Sequence, residues 1–161
     1  MRKAFTTKKL CVAGAIAGLY AALTLLLAPV SFGQGGAFQL RFSEALTLLP
    51  ALSFAAVPGL TVGCFAANLL CGAPWQDIVF GTLATLLASL LSYRLRRNLW
   101  LAAAAPVICN TVIVGATLSA LYGLPLFYAM LTVLPGEIAA CFLLGVPLAR
   151  GLQKLPALND L

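Results

Sequence analysis

Apolar residues fill this chain in long unbroken runs, and short groups of proline, glycine and charged residues separate them. Runs apolar on every face predict helices that cross a bilayer rather than amphipathic helices or alternating strands. The first run predicts a helix over residues 10–30. The glycine-rich stretch at 31–36 ends it, since each glycine costs about 1 kcal/mol in a helix. Ser43 reads as an N-cap, with Glu44 in the first turn behind it. The apolar region 44–72 is long for one helix, and Pro58-Gly59 divides it into helices over 44–56 and 58–72. Pro74 precedes a helix over 76–93, and another runs over 99–122. Pro135-Gly136 interrupts the last apolar region and predicts a final helix over 135–150. Residues 124–134 stay open between a span, a re-entrant segment and an interfacial one.

Composition turns this pattern into a fold class. Of 161 residues, 62% are hydrophobic and 9% charged, against about 25% charged in soluble domains. Such a chain cannot cover a water-facing surface, and a bilayer removes that requirement. The length suits one transmembrane domain, residues 1–161. The first apolar run exceeds the roughly 7–15 residues of a signal-peptide core, so it is expected to be a retained helix. The net charge is +6. The basic residues form three clusters beside apolar runs: Arg2, Lys3, Lys8 and Lys9; Arg94, Arg96 and Arg97; Arg150 and Lys154. That is the positive-inside pattern, not a nucleic-acid surface. Because the first two clusters should share the cytoplasmic side, an even number of crossings must separate them. The region 44–72 then supplies two short helices, each about 20 Å long at a rise of 1.5 Å per residue. The expectation is an all-α integral membrane protein with six transmembrane helices and both termini cytoplasmic.

This topology sorts the scarce polar residues. Glu44, Asp77 and Glu137 fall near the outer starts of the second, fourth and sixth helices, and only Asp160 among the acids does not. Gln39 and Arg41 precede the second helix. Asn68 lies toward the outer end of the third, and Asn110 midway along the fifth. These groups are expected to converge on an outward-facing mouth. Acids in first turns also complement the helix macrodipole, so capping and ligand binding both stand as readings. Trp75 and Trp100 flank spans and read as interface anchors.

Other chemistry is sparse. Cys11, Cys64, Cys71, Cys109 and Cys141 lie scattered in apolar runs and read as small packing residues. There is no histidine, no phosphate-cradling glycine-lysine loop and no nucleophile–base pattern. Neither an enzyme nor a metal or other cofactor is expected. Energy for transport would come from an ion gradient or another subunit. On the first helix, Ala13, Ala17 and Ala21 recur every four residues beside Gly14, Gly18 and Ala22. This smooth stripe admits close approach of another helix, within the protein or from a partner.

The stretch from Gln39 through Arg41, Ser43 and Glu44 to Pro50 carries a family resemblance. So do Pro58-Gly59-Leu60, Gly63-Cys64 and Asn68-Leu69-Leu70, the run from Asp77 to Leu86, Pro106 to Asn110, and Gly136-Glu137. Together, in order over nearly the whole chain, they resemble the QueT family of queuosine-precursor transporters, which are similar to substrate-binding S-components of energy-coupling factor (ECF) transporters. The resemblance implies a six-helix S-component in a prokaryotic plasma membrane. It would bind a 7-deazaguanine (preQ1, preQ0 or queuine) from outside. It would depend on a transmembrane coupling protein and two cytoplasmic ATPases, docked through Ala13, Ala17 and Ala21. Glu44, Glu137, Asp77, Asn68, Asn110, Arg41 and Gln39 would bind the substrate. The alternatives are a stand-alone ion-coupled carrier of a small polar metabolite and an S-component for another vitamin.

Overall fold

Local signals set where the helices break. The computed structural model describes residues 6–28 and 41–154. The glycine-rich stretch 31–36, Gln39, Arg2, Lys3 and Asp160 lie outside the described residues. Six helices, numbered α1 to α6, make up the described chain. They are α1 (Thr7–Leu26), α2 (Phe42–Ala51), α3 (Ala56–Leu70), α4 (residues 77–94), α5 (Leu99–Tyr122) and α6 (Leu126–Gln153). Three of them, α1, α5 and α6, are long and apolar enough to cross a membrane, while α3 is apolar but shorter. Gly72 and Gly123 take positive φ angles of 67° and 64° just beyond α3 and α5, a conformation that glycine enters at least cost. At the other end of α5, Asn98 Oδ1 accepts the Trp100 N–H at 3.0 Å and caps the helix.

Two expectations change. The final helix begins at Leu126, not 135, so residues 124–134 belong largely to α6. The effective break is Pro125, which precedes the first helical residue. Pro135 sits inside the helix instead of starting it, as membrane helices tolerate where neighbours cover the freed backbone. Ser43 is not the N-cap of α2; Arg41 holds that position without a side-chain cap bond. The Ser43 hydroxyl instead accepts a bond from Thr24 Oγ1 on α1 at 2.8 Å.

The second helix is wound as a 3₁₀ helix over all ten residues, long for that type. Pro50 lacks the N–H that an α-turn would direct to Leu46. The Thr47 hydroxyl donates to the Glu44 carbonyl at 2.5 Å, three residues back. At about 2.0 Å per residue α2 spans about 20 Å. Every residue from Ser43 to Ala51 is buried. Leu46 and Leu49 pack with Tyr20, Leu60 and Cys64, while Leu48 packs with Ala103, Val107 and Cys141. The other helices therefore surround α2.

Small residues allow the close approaches. A Cβ on Gly59 would lie 2.6 Å from the Ala13 carbonyl oxygen, and one on Gly63 would lie 2.9 Å from that of Ala17. These pairings run α1 and α3 parallel, backbone against backbone. Gly145 brings α6 against the Ala45 carbonyl in the same way. Pro106 inside α5 leaves the Ala102 carbonyl without its helical donor, and Ser92 Oγ on α4 fills that place at 2.8 Å. Leu152 near the end of α6 lines the same hollow as Val12 and Ile16 of α1 and Leu49 and Leu52 of the α2 region. The Arg150 guanidinium sits 5.4 Å over the Trp100 ring at the start of α5. The described members of all three basic clusters thus gather at one end of the bundle.

The α1–α3 contact yields a paired prediction. Gly63→Ala should destabilise the protein by about 1–3 kcal/mol, because the added methyl meets backbone that cannot move freely. Gly14→Ala, with nothing within 4 Å of its Cβ position, should be neutral or stabilise by up to about 1 kcal/mol. Thermal unfolding in detergent measures both, and equal shifts would contradict the packing described.

Candidate functional site: a buried carboxylate pair

The acids of α2 and α6 meet in the interior. Glu44 is 1% exposed and Glu137 5%. The first turn of α2 places Glu44 between α1, α5 and α6. Glu137 lies in the interior of α6, two residues before a π-helical segment, Ala139–Gly145, so macrodipole capping does not explain it. Such wide turns recur where a helix presents functional side chains.

Each carboxylate is held from another element or another turn. The Tyr20 hydroxyl on α1 donates to Glu44 Oε1 at 2.5 Å. Asn110 Nδ2 on α5 donates to Glu137 Oε1 at 3.1 Å and is also within reach of Glu44. Cys141 Sγ contacts Glu137 Oε2 at 3.8 Å, and contacts the Glu44 carbonyl oxygen at 3.7 Å. Glu44 and Glu137 are close enough to repel each other, and Arg41 is close enough to attract both. Two carboxyl groups buried near one another cost free energy unless donors and a cation meet them. Asn110, Tyr20 and Arg41 supply that opposition. Glu44 Oε2 is buried and has no hydrogen-bond partner among the described residues. It is an acceptor available to a bound molecule.

The remaining predicted residues lie beside this pair rather than in it. Asn68 Nδ2 donates to the Asp77 backbone carbonyl at 3.2 Å and contacts Cys64 Sγ at 3.6 Å. It thereby ties the end of α3 to the start of α4, and Gly81 leaves it room. Asp77 is buried at the first turn of α4, where a second π-helical segment begins, and it interacts with Arg41 across the site. Thus Arg41, Glu44, Asn110 and Glu137 come together, with Asp77 and Asn68 on one flank.

Sequence reasoning missed Tyr20, Thr24, Cys64 and Cys141. Tyr20 carried a signal: it is the single tyrosine of an alanine- and leucine-rich helix, and a buried tyrosine hydroxyl seeks a partner. Cys64 accepts the Thr85 hydroxyl at 3.2 Å, so the buried cysteines are polar neighbours of the site as well as packing residues. All five cysteines are free thiols.

A bundle of helices with an apolar surface, three of them long enough to cross a bilayer, around a buried polar centre is the architecture of a membrane protein. The QueT transporter family model matches residues 10–154. The chain belongs to that family, which makes it a membrane transporter of a small molecule. Neither a curated protein nor a solved structure matches the chain.

Asn110→Leu should destabilise the protein by about 1–3 kcal/mol, because Glu137 loses its amide donor while still buried. In a Glu137→Leu background the same change should cost far less. Chemical denaturation of the four variants tests this, and an equal cost in both backgrounds would contradict the Asn110–Glu137 bond.

Proposed function

We propose that the chain is the substrate-binding S-component of an ECF-type importer and captures a queuosine precursor from outside the cell. The observation that carries this reading is the buried Glu44–Glu137 pair with Asn110 and Arg41 around it, in a chain of the QueT transporter family. By the positive-inside rule, the end that gathers Lys8, Lys9, Arg96, Arg150 and Lys154 is cytoplasmic. Six crossings then leave both termini inside, with the short helix α2 covered by its neighbours.

The chemistry of a 7-deazaguanine suits this centre. Its N1–H and exocyclic amine are donors, and its C6 carbonyl is an acceptor. Glu44 Oε2 accepts from the donor edge, and Glu137 lies within the same field. Arg41 or Asn110 donates to the carbonyl. Glu44, Glu137 and Asp77 outnumber Arg41, so a cationic 7-aminomethyl precursor is favoured over a neutral nitrile. Gln39, which precedes Arg41 in the sequence, remains part of the proposed site.

No nucleotide-binding loop occurs in the sequence, so on this reading a coupling protein and two ATPases supply the energy. An open apolar groove of about 510 Å³ runs between α1 and α3, lined by Leu10, Ala13, Gly14, Ala17, Pro58, Gly59 and Val62. Ala13 and Ala17 form its floor against Gly59 and Gly63, while Ala21 packs toward the core. The exposed row beside it is Gly14, Gly18 and Ala22. We place the coupling protein on this face.

Glu44→Gln and Glu137→Gln should each weaken 7-deazaguanine binding by about tenfold or more in calorimetry, the worth of a charge-assisted hydrogen bond. The aminomethyl precursor should bind more tightly than the nitrile. Co-purification with two ATPases supports the S-component. Transport by the protein alone in proteoliposomes would overturn it. Gly18→Leu should block assembly while leaving ligand binding intact, and normal assembly would remove α1 from the docking face.

A further inference from the structure

We propose that Tyr20 is the positioning residue of Glu44: its hydroxyl fixes the carboxylate so that Oε2 faces the ligand, and ties α1 to the binding site. This rests on the reading of Glu44 as a ligand acceptor. On α1, only three residues are buried: Ala13, Tyr20 and Thr24. The last two, one helical turn apart, share a face. Tyr20 donates to Glu44 Oε1 and Thr24 donates to Ser43 Oγ, so two bonds from one face of α1 meet two consecutive residues at the start of α2. Otherwise α1 meets its neighbours through apolar contacts with α3 and α2.

A glutamate carboxylate can rotate about its last bond and exchange its oxygens. Engaging Oε1 removes that freedom and leaves Oε2, which has no hydrogen-bond partner among the described residues. The Tyr20 ring is itself 1% exposed and packed among Leu46, Leu49, Leu60, Cys64 and Ala67. The hydroxyl is therefore held by the core of three helices and not by the ligand, which is the arrangement that aims an acceptor in advance of binding. The bond also joins a helix with an exposed outer face to the residue that receives the ligand.

The test compares wild type, Tyr20→Phe, Glu44→Gln and the double variant in nanodiscs. Tyr20→Phe keeps the ring and removes only the hydroxyl. Two readouts are needed. The first is calorimetric affinity for a 7-aminomethyl-7-deazaguanine. Tyr20→Phe should weaken it by roughly five- to tenfold, and adding it to Glu44→Gln should weaken it no further. The second is infrared spectroscopy of the ligand-free protein. Only four side-chain carboxyls exist in the chain, so subtracting Glu44→Gln isolates the Glu44 band. That band should shift in Tyr20→Phe. A Glu44 band that depends on Tyr20 supports the positioning role even where wild type binds no 7-deazaguanine, an outcome that overturns the functional reading alone. An unshifted band, an unchanged affinity in Tyr20→Phe, or losses that add fully in the double variant would overturn the positioning role.

Discussion

Two carboxylates are buried close together in a bundle with a predominantly apolar surface, and this constraint orders the rest of the molecule. No bulk water is available in a bilayer interior to solvate Glu44 or Glu137, so the protein must provide donors from its own helices. Tyr20 comes from α1, Asn110 from α5, Cys141 from α6 itself and Arg41 from the entry to α2. Each donor arrives from a helix fixed by apolar packing elsewhere. The polar centre thus specifies which faces turn inward, and the apolar contacts hold those faces at hydrogen-bonding distance.

The position of α2 follows from that demand. Nine of its ten residues, Ser43 to Ala51, are buried, which is unusual for so short an element, and protein must cover nearly every side of it. Proline and small residues make this possible. Pro50 and the Thr47 bond favour 3₁₀ winding, which is longer per residue and lets ten residues reach about 20 Å. Gly145 lets α6 lie against the Ala45 backbone. The neighbouring helices carry their own irregularities. Pro106 would orphan a carbonyl, but Ser92 from α4 satisfies it and joins α4 to α5 in doing so. A proline in one helix and a serine in the next form a single structural unit.

Much of this was legible in the sequence. Pro58, Pro74, Gly72 and Gly123 mark breaks because their backbone chemistry is local, and the six helices follow from them. The grouping of Arg41, Glu44, Asn110 and Glu137 was legible because a chain with so few polar residues has few ways to solvate an acid. What failed depended on partners distant in sequence. Ser43 has the chemistry of an N-cap, yet Thr24 competes for its hydroxyl from another helix. Pro135 reads as a helix start from local rules, but in a packed membrane bundle the helix runs through it. The Tyr20 hydroxyl gains its polar role only when Glu44, 24 positions away, is folded against it, and the Cys141 thiol meets the Glu44 carbonyl, 97 positions away, as well as Glu137 one turn back. Pattern reading assigned Cys141 to packing, which is half of what it does, and assigned Tyr20 no role.

The first helix shows how one element serves two environments. Its inner face is polar at Tyr20 and Thr24 and nearly without side chains toward α3, where Ala13 and Ala17 meet Gly59 and Gly63. Its outer face offers Gly14 and Gly18 with nothing against them. Backbone-to-backbone contact lets α1 and α3 approach closely along Ala13–Gly59 and Ala17–Gly63, so van der Waals packing holds the pair together. That packing is only weakly directional, whereas the bonds from Tyr20 to Glu44 and from Thr24 to Ser43 fix one rotation of α1 about its axis. The alanine and glycine rows therefore set how near α1 comes to its neighbour, and the two polar residues set which face it turns to the centre.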